Sequence, residues 1–222
     1  MHNEPKSEIF LGDCLDYMKS LPDKYFDITI ADSPYGIDVM KSGVLVKEKG
    51  REYKGWDESA PSKEVFDEIA RVSKNYILWG ANHFIETVSR NASCWLVWDK
   101  VRPATFSFCQ CELALTTFPC TAKLFRYSSA LQNAVEEKIH PTQKPIALYS
   151  WILDLFAQPG DKIFDPFLGS GSSRIAAYQK GFDFVGCEMD EEYFRSSDER
   201  FKELCHGIKT SGGVTIKQES LF

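Results

Sequence analysis

A strand, a glycine-containing turn, a helix and a second strand follow one another between residues 162 and 188. The sequence predicts the two strands at residues 162–165 and 182–188, with a helix from Gly171 to about Lys180 between them. Two strands joined through a helix are parallel neighbours, because a parallel pair needs a long crossover connection. This unit therefore restricts the chain to an α/β fold in which strands and helices alternate.

The same alternation runs through the rest of the chain. Further strands are predicted at residues 9–11, 26–31, 76–79, 94–98, 112–118 and 122–127, and helices at residues 14–21, 61–72, 81–89, 145–157 and 191–204. Residues 37–58 and 128–139 are predicted to be loops, and the segment after Gly207 carries little signal. We therefore expect one domain over residues 1–222, built on a mostly parallel sheet with helices on both faces.

Charge is distributed unevenly along the chain. The 26 Lys and Arg residues against 32 Asp and Glu residues give a net charge of −6, yet residues 36–56 and 94–146 each carry a net charge of +2. Clustered cations bind phosphate groups whatever the total charge, although solvated loops account for the pattern equally well. The candidate phosphate-contacting loops are residues 37–58 and residues 100–139, the latter with Lys100, Arg102, Lys123 and Arg126.

The sequence argues against several classes of protein. No apolar run reaches the length of about 18 residues that a membrane-spanning helix needs. The polar first six residues contain no apolar signal core, which argues against export. The seven cysteines are odd in number and include no CxxC pair. We therefore expect reduced thiols in the cytoplasm, with no metal site.

The glycine turn at residues 169–171 carries the first chemical signal. It follows Asp165 at the end of a predicted strand, where open α/β sheets bind ligands. Arg174 stands where a dinucleotide-binding motif has its third glycine, and a carboxylate before the turn disfavours a pyrophosphate but suits an ammonium group. Glu188, 23 residues after Asp165, can hold ribose hydroxyls. S-adenosylmethionine, a nucleoside that carries a zwitterionic amino acid, fits these demands, although a structural turn is the alternative.

Residues 32–35, Asp-Ser-Pro-Tyr, carry the second signal and follow another buried strand. Pro34 forces Ser33 toward extended geometry, so the Ser33 carbonyl and the Asp32 carboxylate can present two acceptors side by side. Two acceptors match an exocyclic amino group, which has two hydrogens to donate. Tyr35 offers a flat face on which a base can stack. A plain turn is the alternative.

The third signal is His140-Pro141-Thr142-Gln143-Lys144-Pro145, directly before a predicted helix. Its two prolines restrict the backbone of the residues that precede them. The segment is either a connector with a helix cap or a rigid rim that holds a hydroxyl and an ammonium beside the ligand.

Three segments together resemble one family. DSPYG at residues 32–36, HPTQKP at 140–145 and FDPFLGSGSS at 164–173 are similar to motifs of the DNA amino-methyltransferases, in the permuted order of their beta class. Residues 79–82 and 96–100 also look like those of small phage and prophage DNA methylases, and the similarity extends over about residues 8–203. The resemblance implies a Rossmann-like, S-adenosylmethionine-dependent methyltransferase fold with a circularly permuted motif order.

The resemblance also implies roles for individual residues. Asp32, Ser33, Pro34 and Tyr35 would be catalytic. The cofactor S-adenosylmethionine would be held by Asp13, Cys14, Asp32, His140, Thr142, Lys144, Asp165, Pro166, Phe167, Gly169, Ser170, Gly171, Ser172, Glu188 and Met189. The substrate would be double-stranded DNA, whose target base has to leave the duplex, and the two basic loops would contact it. Relatives of this class often pair, so a homodimer is one expectation.

One residue departs from the pattern of the family. The catalytic tetrapeptide of the family usually has proline at its second position, where this sequence has Ser33. The main-chain carbonyl is kept but the rigidity of the proline ring is lost, which bears on rate and base choice. Aspartate at the first position is commoner among adenine-N6 enzymes, so we expect transfer to adenine N6. Cytosine N4 is the alternative, and a catalytically impaired DNA-binding module is the alternative from another class.

Overall fold

Eight of the described strands form one sheet, in the order β1-β8-β7-β2-β3-β5-β4-β6. The computed structural model describes residues 4–37, 59–88, 91–105, 109–211 and 214–217. The strands are β1 (Ser7–Leu11), β2 (Phe26–Ala31), β3 (Ser73–Trp79), β4 (Trp95–Asp99), β5 (Cys111–Thr116), β6 (Lys123–Arg126), β7 (Lys162–Asp165) and β8 (Asp183–Glu188). Each pairing in this sheet is parallel except the two that β5 makes with β3 and β4. The expected mostly parallel sheet is confirmed.

Helices lie between most of these strands. They are α1 (Cys14–Lys19), α2 (Lys63–Val72), α3 (Ile85–Val88), α4 (Ser129–Val135), α5 (Ile146–Phe156), α6 (Ser172–Gln179) and α7 (Glu191–His206). Side-chain caps fix where some of them begin: the Asp13 carboxylate accepts from the Leu15 N–H at 2.7 Å, and the Asp190 carboxylate accepts from the Glu192 N–H at 2.9 Å. Such caps satisfy backbone donors that have no partner inside the helix.

Two hydrophobic clusters cover the two faces of the sheet. Alternate residues of β3 divide between them, because successive side chains of a strand point to opposite faces. Ile77 and Trp79 pack in the cluster that contains residues of α5 and α6. Tyr76 and Leu78 pack in the cluster that contains residues of α1 and α2. The expected placement of helices on both faces is confirmed.

The chain changes direction across the sheet between β2 and β7. These two strands are neighbours, with Thr29 opposite Phe164, but β2 leads to β3 on one side and β7 leads to β8 on the other. The loops that leave the two strands therefore separate, and in open α/β sheets such a separation forms a crevice at the carboxyl ends of the strands. Open α/β sheets bind their ligands at such a point. The two sequence motifs that end these strands thus lie side by side, as expected.

The segment 128–139, predicted to be a loop, contains the helix α4, so that prediction is wrong. The Ser128 hydroxyl accepts from the Leu131 N–H at 3.0 Å and caps the helix. Gln132 in the middle of this helix is buried and donates to the main-chain carbonyl of Gln143 at 2.9 Å. A polar helix was overlooked because the side chain that it buries is an amide rather than an apolar group.

Two other segments differ from the prediction. The helix predicted at residues 81–89 is a 3-10 turn over Ala81–His83 followed by α3, and Phe84 between them leaves the helical conformation with φ −138°. The Phe84 ring is buried and stacks on Phe66 with centroids 4.8 Å apart, so packing interrupts the helix. After Gly207 the chain forms an antiparallel hairpin of β9 (Ile208–Ser211) and β10 (Val214–Lys217).

Most of the basic loop predicted at residues 37–58 lies outside the described residues. Its assignment as a loop, the single-domain assignment and the expected homodimer stay predictions.

In the part of the chain that the structure describes, no helix combines the length and the apolar character needed to cross a membrane.

Phe26 tests the packing of β2 against β7. Its ring is fully buried and stacks on Phe164 with centroids 4.4 Å apart and planes 6° from parallel. Phe26→Ala should lower the free energy of unfolding by about 3–5 kcal/mol, because the removed ring leaves a cavity that the sheet cannot close. Urea unfolding followed by fluorescence measures this loss.

Phe10→Ala is the matched control, since Phe10 is 40% exposed although it also stacks on a tyrosine. We expect it to cost less than about 1.5 kcal/mol. Equal losses in the two variants would contradict the described packing.

Candidate active site

Residues 32–35 leave the carboxyl end of β2 and enter the crevice. Ser33 is buried, whereas Asp32, Pro34 and Tyr35 are partly exposed. Burial raises the pKa of Asp32, Lys144 opposes this shift and the charge of Glu112 adds to it. Asp32 is therefore a carboxylate whose charge depends on its immediate neighbours.

Lys144 supplies the cation that faces Asp32. It belongs to the segment before α5, and its side chain is 3% exposed. The ammonium donates to Asp32 Oδ1, to Glu112 Oε2 at 2.9 Å and to the Tyr35 hydroxyl at 3.0 Å. Burial alone would lower the pKa of Lys144, but the two carboxylates together raise it. The buried lysine is thus charged, and its ammonium is fully engaged by Asp32, Tyr35 and Glu112.

Tyr35 is held at both ends. Its hydroxyl lies 3.0 Å from Asp32 Oδ1 and 3.1 Å from Glu112 Oε2. Its ring stacks on the exposed His83 ring, with centroids 5.2 Å apart and planes 16° from parallel. Gly80 lies against the same ring, since a Cβ built on it would come 2.1 Å from Tyr35 Cε1. The ring predicted to stack on a base is therefore already oriented by the protein.

Asp165 stands at the carboxyl end of β7, next to the end of β2. Its carboxylate accepts from the Phe167 N–H at 2.9 Å and from the Ser173 hydroxyl. Burial raises the pKa of Asp165 to about 7, and the two hydrogen bonds only partly oppose this shift. Because no cation pairs with it among the described residues, Asp165 can receive a positively charged group of a ligand.

The glycine turn joins β7 to α6. Gly169 and Gly171 adopt φ values of +50° and +70°, a left-handed conformation that favours glycine. Gly171 is the N-cap of α6, and the Gly169 N–H donates to Glu188 Oε2 at 2.7 Å. A Cβ at Gly169 would meet no atom closer than His140 at 3.9 Å. The turn thus brings its backbone next to the Glu188 carboxylate and into van der Waals range of His140.

The segment before α5 extends over this turn. His140 Nδ1 lies 3.2 Å from the Thr142 hydroxyl, and the His140 ring meets Tyr193 edge to face with centroids 4.4 Å apart. His140 and Thr142 therefore lie on the side of the glycine turn, whereas the Lys144 ammonium lies on Asp32. Residues 140–144 therefore contact both the glycine turn and Asp32.

The remaining predicted cofactor residues border the turn. Asp13 caps α1 and Cys14 is buried at its first position, where burial raises the pKa of the thiol to about 12. The Gly12 N–H donates to the Glu188 carbonyl at 2.8 Å, so the start of α1 lies beside the end of β8. Met189 is largely exposed. The other members, Pro166, Phe167, Ser170 and Ser172, belong to the turn and the start of α6.

A buried ion pair between Arg200 and Glu136 contacts the glycine turn, and sequence reasoning missed it. Arg200 of α7 donates to Glu136 Oε2 at 2.9 Å, to the Ser170 carbonyl at 2.9 Å and to the Ser172 hydroxyl at 3.0 Å. Glu136 Oε1 in turn accepts from the Ile146 N–H at 2.9 Å, at the beginning of α5. This pair connects the glycine turn to the segment that carries Lys144.

The basic residues of segment 100–139 occupy different environments. Lys100 is withdrawn from the surface, because its ammonium pairs with Glu112 and its side chain is largely buried. Arg102 donates to the Cys109 carbonyl and the Ser129 hydroxyl, each at 3.1 Å. Arg126 is 73% exposed and pairs with Asp99. The expectation that Lys100 contacts a phosphate is therefore corrected, and Arg126 is the most exposed of these charges.

Glu112, which contacts Lys144, Tyr35 and Lys100, is a further residue of this region that sequence reasoning missed. Its neighbours in the sequence are cysteine and leucine, and it belongs to no recognised motif.

Among the described residues, no group of three or more His, Cys, Asp or Glu side chains is arranged to hold a metal ion.

Comparison of sequences relates the chain to known proteins. Residues 43–199 match the sequence model of the family designated N6_N4_Mtase and described as "DNA methylase". The chain is 24% identical over 258 residues to the Type II methyltransferase M2.MboI of Moraxella bovis, a match that covers 95% of this chain and 93% of that protein. It is 23% identical over 253 residues to the Type II methyltransferase M.HinfI of Haemophilus influenzae, covering 91% of this chain and 70% of that protein.

Solved structures share the fold. The complex of M1.HpyAVI with SAM aligns with a TM-score of 0.61 at 20% identity, over 87% of this chain and 98% of that one. The PvuII DNA methyltransferase, named as cytosine-N4-specific, aligns with a TM-score of 0.58 at 14% identity, over 87% of this chain and 86% of that one. At these identities the two structures establish the fold alone.

Gly80 tests the orientation of Tyr35. A Cβ at this position would overlap the Tyr35 ring, and the backbone is left-handed at φ +72°. Gly80→Ala should therefore cost more than the about 1–2 kcal/mol of left-handed strain, because Tyr35 also has to move off its hydrogen bonds. Urea unfolding measures the free energy, and any activity of the protein should fall with it.

Gly181→Ala is the control, since its φ is +80° and a Cβ there would meet nothing within 4 Å. This variant should show the strain alone. If both substitutions cost the same and both leave activity unchanged, Tyr35 is not held as described.

Proposed function

The chain belongs to the N6/N4 family of DNA methylases, and from this premise we propose that it methylates N6 of adenine in double-stranded DNA with S-adenosylmethionine as donor. The observation that carries the proposal is the pairing of β2 with β7, which sets Asp32 beside the glycine turn. The choice of adenine follows from aspartate as the first residue of the tetrapeptide. A cytoplasmic location stays a prediction.

The crevice fits S-adenosylmethionine. Asp165 is a buried carboxylate without a cationic partner among the described residues, which suits the ammonium of the amino acid part. Glu188, which is fixed by the Gly169 and Asp190 N–H groups, would accept from the ribose hydroxyls. Gly169 itself joins the two halves of this arrangement, because it follows Asp165 in the turn and its N–H donates to Glu188. When bound, S-adenosylmethionine supplies a methyl group on a positively charged sulfur.

Asp32 and Ser33 would hold the target amino group. Among the described residues, each hydrogen bond to the Asp32 carboxylate ends on Oδ1, so Oδ2 can accept one amino hydrogen. The Ser33 carbonyl would accept the other. These two bonds draw the nitrogen lone pair out of conjugation with the ring and offset the positive charge that develops on the nitrogen. The surplus proton of the methylated nitrogen is assigned to Asp32 Oδ2.

The target base reaches this site only when it leaves the duplex. Tyr35 would stack on the flipped base, and its ring is fixed for this by His83 and the hydroxyl contacts. Arg126, exposed on the edge strand β6, is a candidate contact for the DNA backbone.

Transfer of labelled methyl groups to duplex DNA tests the function. After digestion to nucleosides, we expect the label in N6-methyl-deoxyadenosine. Asp32→Asn should lower kcat by about 100-fold or more, because the charged acceptor of the amino group is lost. Binding of S-adenosylmethionine should change little, since Asp165 and Glu188 remain.

Asp154→Asn is the control, because Asp154 is an exposed carboxylate paired with Lys180 on the surface. Label in N4-methyl-deoxycytidine would contradict the adenine assignment and show that the target is N4 of cytosine. Cofactor binding without any methyl transfer would support the impaired DNA-binding module instead.

Cofactor binding should depend on pH through Asp165. Its pKa of about 7 means that the free protein carries a neutral carboxylic acid below neutral pH. An ammonium ligand needs the ionised form, so binding has to release this proton. The dissociation constant should rise about tenfold for each pH unit below 7 and level off above it. Calorimetric titration with S-adenosylmethionine over the acidic range measures this slope.

Asp165→Asn should bind weakly and lose this slope, because no proton is released. A wild-type dissociation constant that stays constant between mildly acidic and neutral pH would contradict the role of Asp165.

A further inference from the structure

Glu112 reaches the crevice from an unusual direction. The parallel strands end at this edge of the sheet, whereas β5 runs antiparallel to β3 and β4 and begins here. Glu112 is the second residue of β5, opposite Trp98. Its side chain is 18% exposed. Glu112 is thus an acidic side chain, largely withdrawn from solvent, at the edge where the parallel strands end.

Two donors bridge Glu112 and Asp32. The Lys144 ammonium and the Tyr35 hydroxyl both contact Asp32 Oδ1 and both contact Glu112 Oε2. The donors also touch each other, at 3.0 Å. Glu112 therefore faces the same two groups as Asp32 does, from the opposite side.

Every N–H of the Lys144 ammonium and the hydroxyl proton of Tyr35 have an acceptor in this arrangement. An ammonium has three N–H groups, and Lys144 directs them to Asp32, Glu112 and the Tyr35 hydroxyl. Tyr35 has a single hydroxyl proton, which the two carboxylates share. Without Glu112, both donors would turn entirely to Asp32.

Lys100 holds Glu112 from the other side. Its ammonium donates to Glu112 Oε1, and it follows β4, the strand next to β5. Two carboxylates and two ammonium groups thus balance their charges in a mostly buried cluster. Although burial opposes ionisation, Lys144 and Lys100 lower the pKa of Glu112 to about 2, so Glu112 is charged throughout the working pH range.

We propose that Glu112 is a positioning residue for methyl transfer, which takes a share of the Lys144 ammonium and of the Tyr35 proton so that Asp32 stays a strong acceptor. The proposal rests on the function proposed above. Glu112 contacts neither the target base nor the methyl donor in this scheme. It acts by keeping Asp32 Oδ2 basic and by fixing the Tyr35 ring.

Several other groups act on Asp32 and define how it titrates. The charged and titratable groups that face it are Lys144 before α5, Tyr35 after β2, Glu112 of β5, Tyr149 of α5 and Asp165 after β7. Lys100 acts on it through Glu112. Saturation with cofactor removes the titration of Asp165, so kcat at saturation reports the remaining groups.

Glu112→Gln is the first test. The variant removes a negative charge and keeps the shape of the side chain. We expect kcat at saturating cofactor and DNA to fall about 10–100-fold, as for other residues that orient a catalytic group. KM for the cofactor should stay within about threefold, since the glycine turn is untouched. The acid limb of the kcat profile should shift down by about one pH unit, because Lys144 then acts on Asp32 alone.

Lys100→Gln is the second test and predicts the opposite shift. Loss of this ammonium leaves Lys144 as the sole cation on Glu112, which draws Lys144 away from Asp32. The acid limb should then move to higher pH. A merely structural role for Glu112 gives no reason for shifts of opposite sign.

Glu68→Gln is the matched control, because Glu68 is 17% exposed and paired with Arg71 on α2, away from the crevice. It should leave kcat and the acid limb unchanged. Unchanged kinetics in Glu112→Gln would overturn the proposal. So would acid limbs of the kcat profile that move in the same direction in Glu112→Gln and Lys100→Gln.

A second measurement does not depend on catalysis. NMR titration of labelled aspartate carboxyl carbons in the free protein, with Asp32→Asn for assignment, reports the pKa of Asp32 directly. It should fall in Glu112→Gln and rise in Lys100→Gln. If the wild type transfers no methyl group, the proposed function fails and this titration still decides whether Glu112 controls Asp32. An Asp32 pKa unaffected by both substitutions would overturn that control.

Discussion

A buried ammonium group organises the crevice. Lys144 is charged inside the protein, and an unpaired charge there would cost several kcal/mol. It has partners from two other parts of the chain, Asp32 after β2 and Glu112 on β5. The segment that carries Lys144 is therefore tied to the edge of the sheet. The same segment also places His140 next to Gly169 of the glycine turn. The charge of Lys144 therefore also helps to fix the position of His140 beside that turn.

Stability alone does not account for the cluster around Lys144. Buried ion pairs are often no more stabilising than apolar residues of the same volume. Here, two carboxylates and two ammonium groups are balanced so that one carboxylate oxygen, Asp32 Oδ2, keeps no protein partner among the described residues. Oriented charges of this kind need no rearrangement when a substrate amino group arrives, which is the usual source of electrostatic catalysis.

The sequence predicted those parts of the site that follow parallel strands. Asp32 and Asp165 each follow an apolar run, with a proline two residues after Asp32 and directly after Asp165, and Gly171 opens a helix, so local pattern was enough to find them. Glu112 begins an antiparallel strand, and its position at the same edge depends on pairing that no local pattern encodes. The helix α4 and the Arg200 pair with Glu136 were missed because their buried contacts are polar.

Asp32 and Asp165 stand at the ends of neighbouring strands, yet their surroundings suit them for different partners. Asp32 already faces two donors that it shares with Glu112, the Lys144 ammonium and the Tyr35 hydroxyl, so it can act on a neutral amino group without a further cation. Among the described residues, Asp165 has a hydroxyl and a backbone N–H as partners but no cation, and burial raises its pKa to about 7. A cationic ligand therefore gains more at Asp165 than at Asp32. Under the proposed function, two carboxylates whose environments differ in this way would divide the work of one site, Asp165 binding the methyl donor and Asp32 accepting from the target amino group.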